Sequence, residues 1–133
     1  MLGADTNVLV RFLADDDAEQ SAQARTLFTT PANQPIYLSM LVLAEAFTVM
    51  TKVKKFPVAV VLDAYRLLLR SPQIQVERPD LVMTALDDAA ETHAGFPDAL
   101  IALQNAEAEC LSTATFDLRA IRLSAMSAVK EHL

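Results

Sequence analysis

Two short strand-like stretches of three residues, Ile36–Leu38 and Ile74–Val76, stand between long stretches of helical spacing, and prolines mark the joints. Short strands alternating with helices point to an α/β fold, an α/β/α sandwich around a short-stranded central parallel sheet. The reading along the chain begins with a strand Met1–Ala4 that ends at Asp5. Thr6 or Asn7 then caps a helix running through Asp15, and the acidic break Asp15–Asp17 favours the start of a second helix, Ala18–Thr29. Pro31 and Pro35 mark a loop before Ile36–Leu38, Ser39 caps a helix from Met40 to Lys54, and Pro57 opens another to Arg70. After Ile74–Val76, Pro79 starts a helix to His93 that Gly95 closes, and Pro97 starts one to Glu109. A buried strand Cys110–Thr113, a short helix Leu118–Leu123 and an edge strand Ala128–His132 complete the expectation.

In α/β sheets of this kind, ligands bind outside the carboxyl ends of the strands. Asp5 ends the first strand, Asp98 begins the helix after Pro97, and Asp117 follows the strand near Cys110. Glu45 lies inside the apolar segment Met40–Met50, where Leu41, Val42, Ala44 and Val49 are expected to bury it. Left charged and unpaired there, a carboxylate costs several kcal/mol. Each acid has an ordinary alternative: Asp5 and Asp98 as helix-terminal residues, Asp117 in a turn, Glu45 paired with a lysine or arginine. Convergence of all four on one sheet edge is harder to explain that way. An oxygen-only donor set selects a hard cation, Mg²⁺ with Mn²⁺ as substitute, as one or two ions. Such ions activate water and offset charge on a phosphate undergoing displacement.

Composition narrows the alternatives. The 133 residues suit one domain, 1–133, and a hydrophobic fraction of 53% excludes disorder. Gly3 and Gly95 are the only glycines, too few for a dinucleotide fingerprint or a P-loop. Cys110 with His93 and His132 cannot assemble a four-ligand structural zinc site. The apolar stretches Met40–Met50 and Val58–Leu69 are interrupted by Glu45 and by Asp63 and Arg66, so no membrane span is expected. A single thiol without a signal peptide leads us to expect a reducing, cytoplasmic location. The net charge of −6 argues against gripping nucleic acid by bulk positive charge, so cations must be local or supplied as metal.

The segments Asp5-Thr6-Asn7-Val8-Leu9-Val10, Glu45 after Ser39, Phe96-Pro97-Asp98-Ala99-Leu100-Ile101 and Thr115-Phe116-Asp117 resemble the PIN-domain nucleases, and among them the VapC-type toxins of prokaryotic toxin–antitoxin pairs. The similarity runs from Asp5 to Asp117 in family order. It implies a metal-dependent endoribonuclease whose catalytic, metal-holding acids are Asp5, Glu45, Asp98 and Asp117, with Asn7 and Thr115 supporting them. It also implies a cognate antitoxin, an RNA substrate and a homodimer. Many relatives carry an acidic residue where this chain has Gly95, and often alanine where it has Pro97, a departure that bears on the surroundings of Asp98.

Arg11, Arg119 and Arg122 are candidates for phosphate contact, as are Lys52, Lys54 and Lys55, the last three also reading as a solvated face at a helix C-terminus. Two other functions compete. An aspartyl-phosphate phosphatase would use Asp5 as nucleophile but needs an acid two residues on, where Asn7 cannot transfer protons. A non-catalytic interaction module has no use for four like charges held together. That repulsion leads to one further expectation: in metal-free protein, Asp5→Asn should stabilise the fold.

Overall fold

Ile36 and Leu38 are fully buried because they form β2 (Ile36–Leu38), the middle strand of a three-stranded parallel sheet. β1 (Leu2–Gly3) pairs on one side, Leu2 opposite Ile36, and β3 (Ile74–Val76) on the other, with Leu38 opposite Val76. The computed structural model describes all 133 residues, and the chain divides into two compact units, Met1–Pro79 and Asp80–Leu133. No helix is long and apolar enough to cross a membrane.

In the first unit, α1 (Thr6–Ala14) leaves β1 and packs against α2 (Ala18–Thr29) and α3 (Met40–Thr48). The Phe12 and Phe28 rings stack with centroids 4.1 Å apart, joining α1 to α2. Asp17 caps α2 by accepting from the Gln20 N–H at 2.8 Å, and Ser39 caps α3 by accepting from the Val42 N–H at 3.2 Å, each satisfying a free helix amide. The α3 segment continues into a π-helical turn, Val49–Val53, so the expected helix to Lys54 is present but widened at its end. α4 (Val58–Arg70) follows Pro57. Its buried Tyr65 donates to the Leu43 carbonyl at 2.6 Å and meets Phe47 edge-on.

The second unit holds α5 (Pro79–Thr92), α6 (Phe96–Glu107) and a parallel pair, β4 (Thr113–Thr115) with β5 (Met126–Ala128). Leu81, Val82, Ala85, Leu86 and Ala89 are the buried face of α5. The short helix expected at Leu118–Leu123 is a single 3₁₀ turn, Ala120–Arg122.

Several expectations are corrected by local hydrogen bonding. The cap of α1 is Asp5, not Thr6 or Asn7. Gly95 does not close α5: His93 takes the left-handed conformation (φ 62°), while Gly95 is extended (φ −65°) and caps α6. The strand expected at Cys110–Thr113 begins three residues later. The amides of Ala108, Glu109 and Cys110 are drawn to carbonyls at the end of α6, and Glu109 turns left-handed (φ 68°). Cys110 is therefore exposed rather than buried. The tail strand lies at Met126–Ala128, because the Glu131 side chain accepts from the Ala128 N–H and winds Val129–His132 into a 3₁₀ turn.

Candidate active site

Asp5 follows β1 in extended conformation, and its Oδ1 accepts from the Thr6 N–H at 2.7 Å. The carboxylate thus sits at the amino end of α1, where unpaired N–H groups favour negative charge. Thr6 is buried and donates its hydroxyl to Glu45 Oε2 at 3.3 Å, tying the start of α1 to α3. In the sequence Thr6 reads only as a possible helix cap, not as a site residue; its place beside Asp5 is the signal for the second role. Asn7 is exposed in the first turn of α1.

Glu45 is exposed, which corrects the expectation that its apolar neighbours bury it. The inward face of this segment is Leu43, Ala46, Phe47 and Met50, a spacing of three, four and seven. Glu45 shares the other face with exposed Leu41 and Thr48. Its partner is a hydroxyl, not a lysine or arginine, so the ordinary ion-pair explanation does not account for it.

In the second unit, Phe96 is buried, Pro97 occupies the second position of α6, and Asp98 stands half-buried in the first turn. A Cβ on Gly95 would lie 3.4 Å from Asp98 Oδ2, so the glycine keeps the space beside this carboxylate open. Asp117 follows β4; its Oδ1 accepts from the Arg119 N–H at 2.8 Å and the Ala120 N–H at 3.4 Å. Its own N–H donates to Thr115 Oγ1 at 3.0 Å, so Thr115 supports Asp117 directly. Asp117 therefore has the turn role that its ordinary reading gives it. Burial raises the pKa of Asp98, and the charge of Asp117 raises it further.

The acids thus come as one linked set in each unit, Asp5–Thr6–Glu45 and Asp98–Asp117–Thr115. No three His, Cys, Asp or Glu side chains form a group that holds a metal ion as it stands. The donor chemistry nevertheless fits a hard divalent cation: carboxylate and hydroxyl oxygens without thiolate or imidazole, and an Asp98 whose charged form lacks compensation.

The basic candidates separate. Arg11 donates to Gln20 Oε1 at 2.8 Å and to Asp16 Oδ1 at 2.9 Å, and Lys54 pairs with the other oxygen of Asp16. Both cations are therefore engaged by Asp16, whose pKa is lowered by these bonds, Lys54 first. Arg122 donates to the Thr92 carbonyl at 3.3 Å, at the end of α5. Arg119, Lys52 and Lys55 are exposed. An apolar cavity of about 560 Å³ lined by Phe12, Phe28, Leu68 and Ile74 carries none of the candidate acids.

No protein of curated function matches the chain. The sequence profile of the PIN domain matches residues 4–126, which takes in Asp5, Glu45, Asp98 and Asp117. Proteins built on this domain are in general nucleases, hydrolases of the phosphodiester backbone that typically use divalent metals. The α/β architecture with short parallel strands is the fold of that domain. With the profile spanning nearly the whole chain, the protein belongs to the PIN-domain family.

Proposed function

We propose that this protein is a Mg²⁺- or Mn²⁺-dependent endoribonuclease acting as the toxin of a toxin–antitoxin pair. The observation that carries the nuclease reading is the PIN-domain profile over residues 4–126, which takes in all four acids; the raised pKa of half-buried Asp98, due to burial and then to the charge of Asp117, is in keeping with it.

Asp5, Glu45, Asp98 and Asp117 are the residues proposed to hold the metal. When bound, the ion would supply Lewis acidity, polarising water for attack on a phosphodiester and offsetting charge at the reacting phosphate. The chain's own groups set the acids in place. The Thr6 hydroxyl orients Glu45, the Thr6 N–H at the amino end of α1 fixes the Asp5 carboxylate, and two turn amides with Thr115 keep Asp117 from rotating away. Asp98 must give up its proton to take part, so cleavage should weaken as pH falls toward its raised pKa. Arg119, exposed two residues after Asp117, is the proposed phosphate contact. Asn7 is proposed to support the acids from the first turn of α1.

Partners are proposed on the same chemistry. A small antitoxin with a basic tail would place an arginine against these carboxylates and compete with Mn²⁺. The active form is proposed to be a cytoplasmic homodimer. Incubation of a mixed RNA pool with Mn²⁺ should yield 5′-phosphate and 3′-hydroxyl ends. Asp98→Asn should abolish most cleavage with the fold intact, and full activity of that variant or in EDTA would sink the assignment.

A further inference from the structure

Aromatic side chains in this protein are otherwise covered or half-covered. Phe12 stacks on Phe28, Phe47 meets Tyr65, and Phe96 is fully buried. Phe116 is the exception, 86% exposed. An exposed large aromatic is informative where an exposed leucine is not, and its position here is specific. It directly precedes Asp117, with its Cα about 3.8 Å from that residue's Cα.

The backbone on both sides of Phe116 is tied down. Thr115 is paired with Ala128 in the β4–β5 ladder, and its hydroxyl accepts from the Asp117 N–H at 3.0 Å. The Asp117 carboxylate caps the turn that follows, at 2.8 Å from the Arg119 N–H. A flat apolar ring is therefore presented to solvent from a braced loop, beside an acid of the proposed site and two residues before exposed Arg119. This is the composition of a single-stranded nucleic-acid platform: a ring face for a base and a guanidinium for its phosphate.

We propose that Phe116 stacks on an unpaired base of the RNA substrate, next to the phosphodiester presented to Asp117. The inference rests on the endoribonuclease reading and adds the stacking contact of Phe116, with a preference for purine over pyrimidine at the stacked position. Arg119 neutralises the adjacent phosphate, which the protein's net negative charge otherwise repels.

The test compares wild type with Phe116→Ala, Phe116→Leu and Phe116→Trp, reading kcat and KM for cleavage of short single-stranded RNAs with Mn²⁺. Binding is read by fluorescence anisotropy of labelled oligo(A) and oligo(U) in the Asp98→Asn background. Stacking on one base predicts about a 5- to 150-fold rise in KM and Kd for Phe116→Ala, larger for oligo(A), with kcat little changed. Phe116→Trp should restore the affinity and Phe116→Leu should not. Affinity retained by the alanine or leucine variant overturns the proposal. So does a loss of self-association in Phe116→Ala at unchanged RNA affinity, which would assign the ring to a protein interface. Wild type that neither cleaves nor binds RNA instead refutes the endoribonuclease reading itself, a result distinct from active protein indifferent to position 116.

Discussion

The sharpest quantitative consequence concerns Asp5. Four carboxylates viewed as a self-repelling cluster lead to the expectation that Asp5→Asn stabilises metal-free protein. The structure reverses the sign. Asp5 accepts the Thr6 N–H at 2.7 Å at the amino end of the nine-residue α1, where its charge is favourable. Asparagine caps helices about as well as aspartate, so the substitution keeps the cap and loses the charge–dipole contribution, about 0.3–1 kcal/mol. Alanine removes the cap as well, a further ~0.5–2 kcal/mol. With an unfolding entropy of roughly 2.1 cal/mol/K per residue, a chain of this length loses about 3–4 °C in Tm per kcal/mol. Thermal melts in EDTA at pH 7 should therefore show Asp5→Asn lower than wild type by about 1–4 °C and Asp5→Ala lower by about 3–10 °C. Saturating Mn²⁺ at 100 times Kd should add about 2.7 kcal/mol to wild type and less to either variant. An Asp5→Asn protein that melts higher than wild type without metal would refute the capping argument and restore repulsion as the dominant effect.

Other expectations follow from the same contacts. The pKa of Asp98 is raised above its ordinary 3.8, so at this group the metal-free native state binds its proton more tightly than the unfolded chain does. The associated stability is complete below about pH 4 and is lost as pH rises through the raised value. Asp117→Asn keeps a capping oxygen but removes one cause of the shift, so its melting temperature in EDTA should decline less between pH 4 and pH 7 than that of wild type. Asp16 works in the opposite direction: Lys54 and Arg11 lower its pKa, so its contribution is present above its ordinary value of 3.8 and lost as pH falls through the lowered one. Asp16→Asn should then remove part of the acid sensitivity of unfolding, and an unchanged pH profile would contradict the pairing. Tyr65→Phe deletes a buried 2.6 Å hydrogen bond to the Leu43 carbonyl and should cost about 0.5–1.5 kcal/mol in urea unfolding with cleavage unaffected.

Local chemistry was legible in the sequence. Asp17 and Ser39 announce the starts of α2 and α3, Pro57 precedes α4, and β2 and β3 lie where short strand-like stretches meet turn residues. The positions of Asp5, Asp98 and Asp117 beside strand and helix ends were legible for the same reason, because caps and strand ends depend on a few neighbouring residues. Tertiary structure decided what depends on distant elements. Glu45 sits in a strongly apolar segment, yet its exposure depends on which face of α3 the rest of the unit covers, and that face is Leu43, Ala46, Phe47 and Met50. Arg11 and Lys54 are free cations in sequence, but the turn at Asp15 returns Asp16 between them, where its two carboxylate oxygens pair with both. The start of β4 moved because the end of α6 competes for the amides of Ala108 to Cys110, and that competition is settled by hydrogen bonds rather than by apolar pattern. Composition and spacing determine which residues are available at each turn of the chain; which of them meet is decided by packing, since a side chain's partner is the nearest group in space.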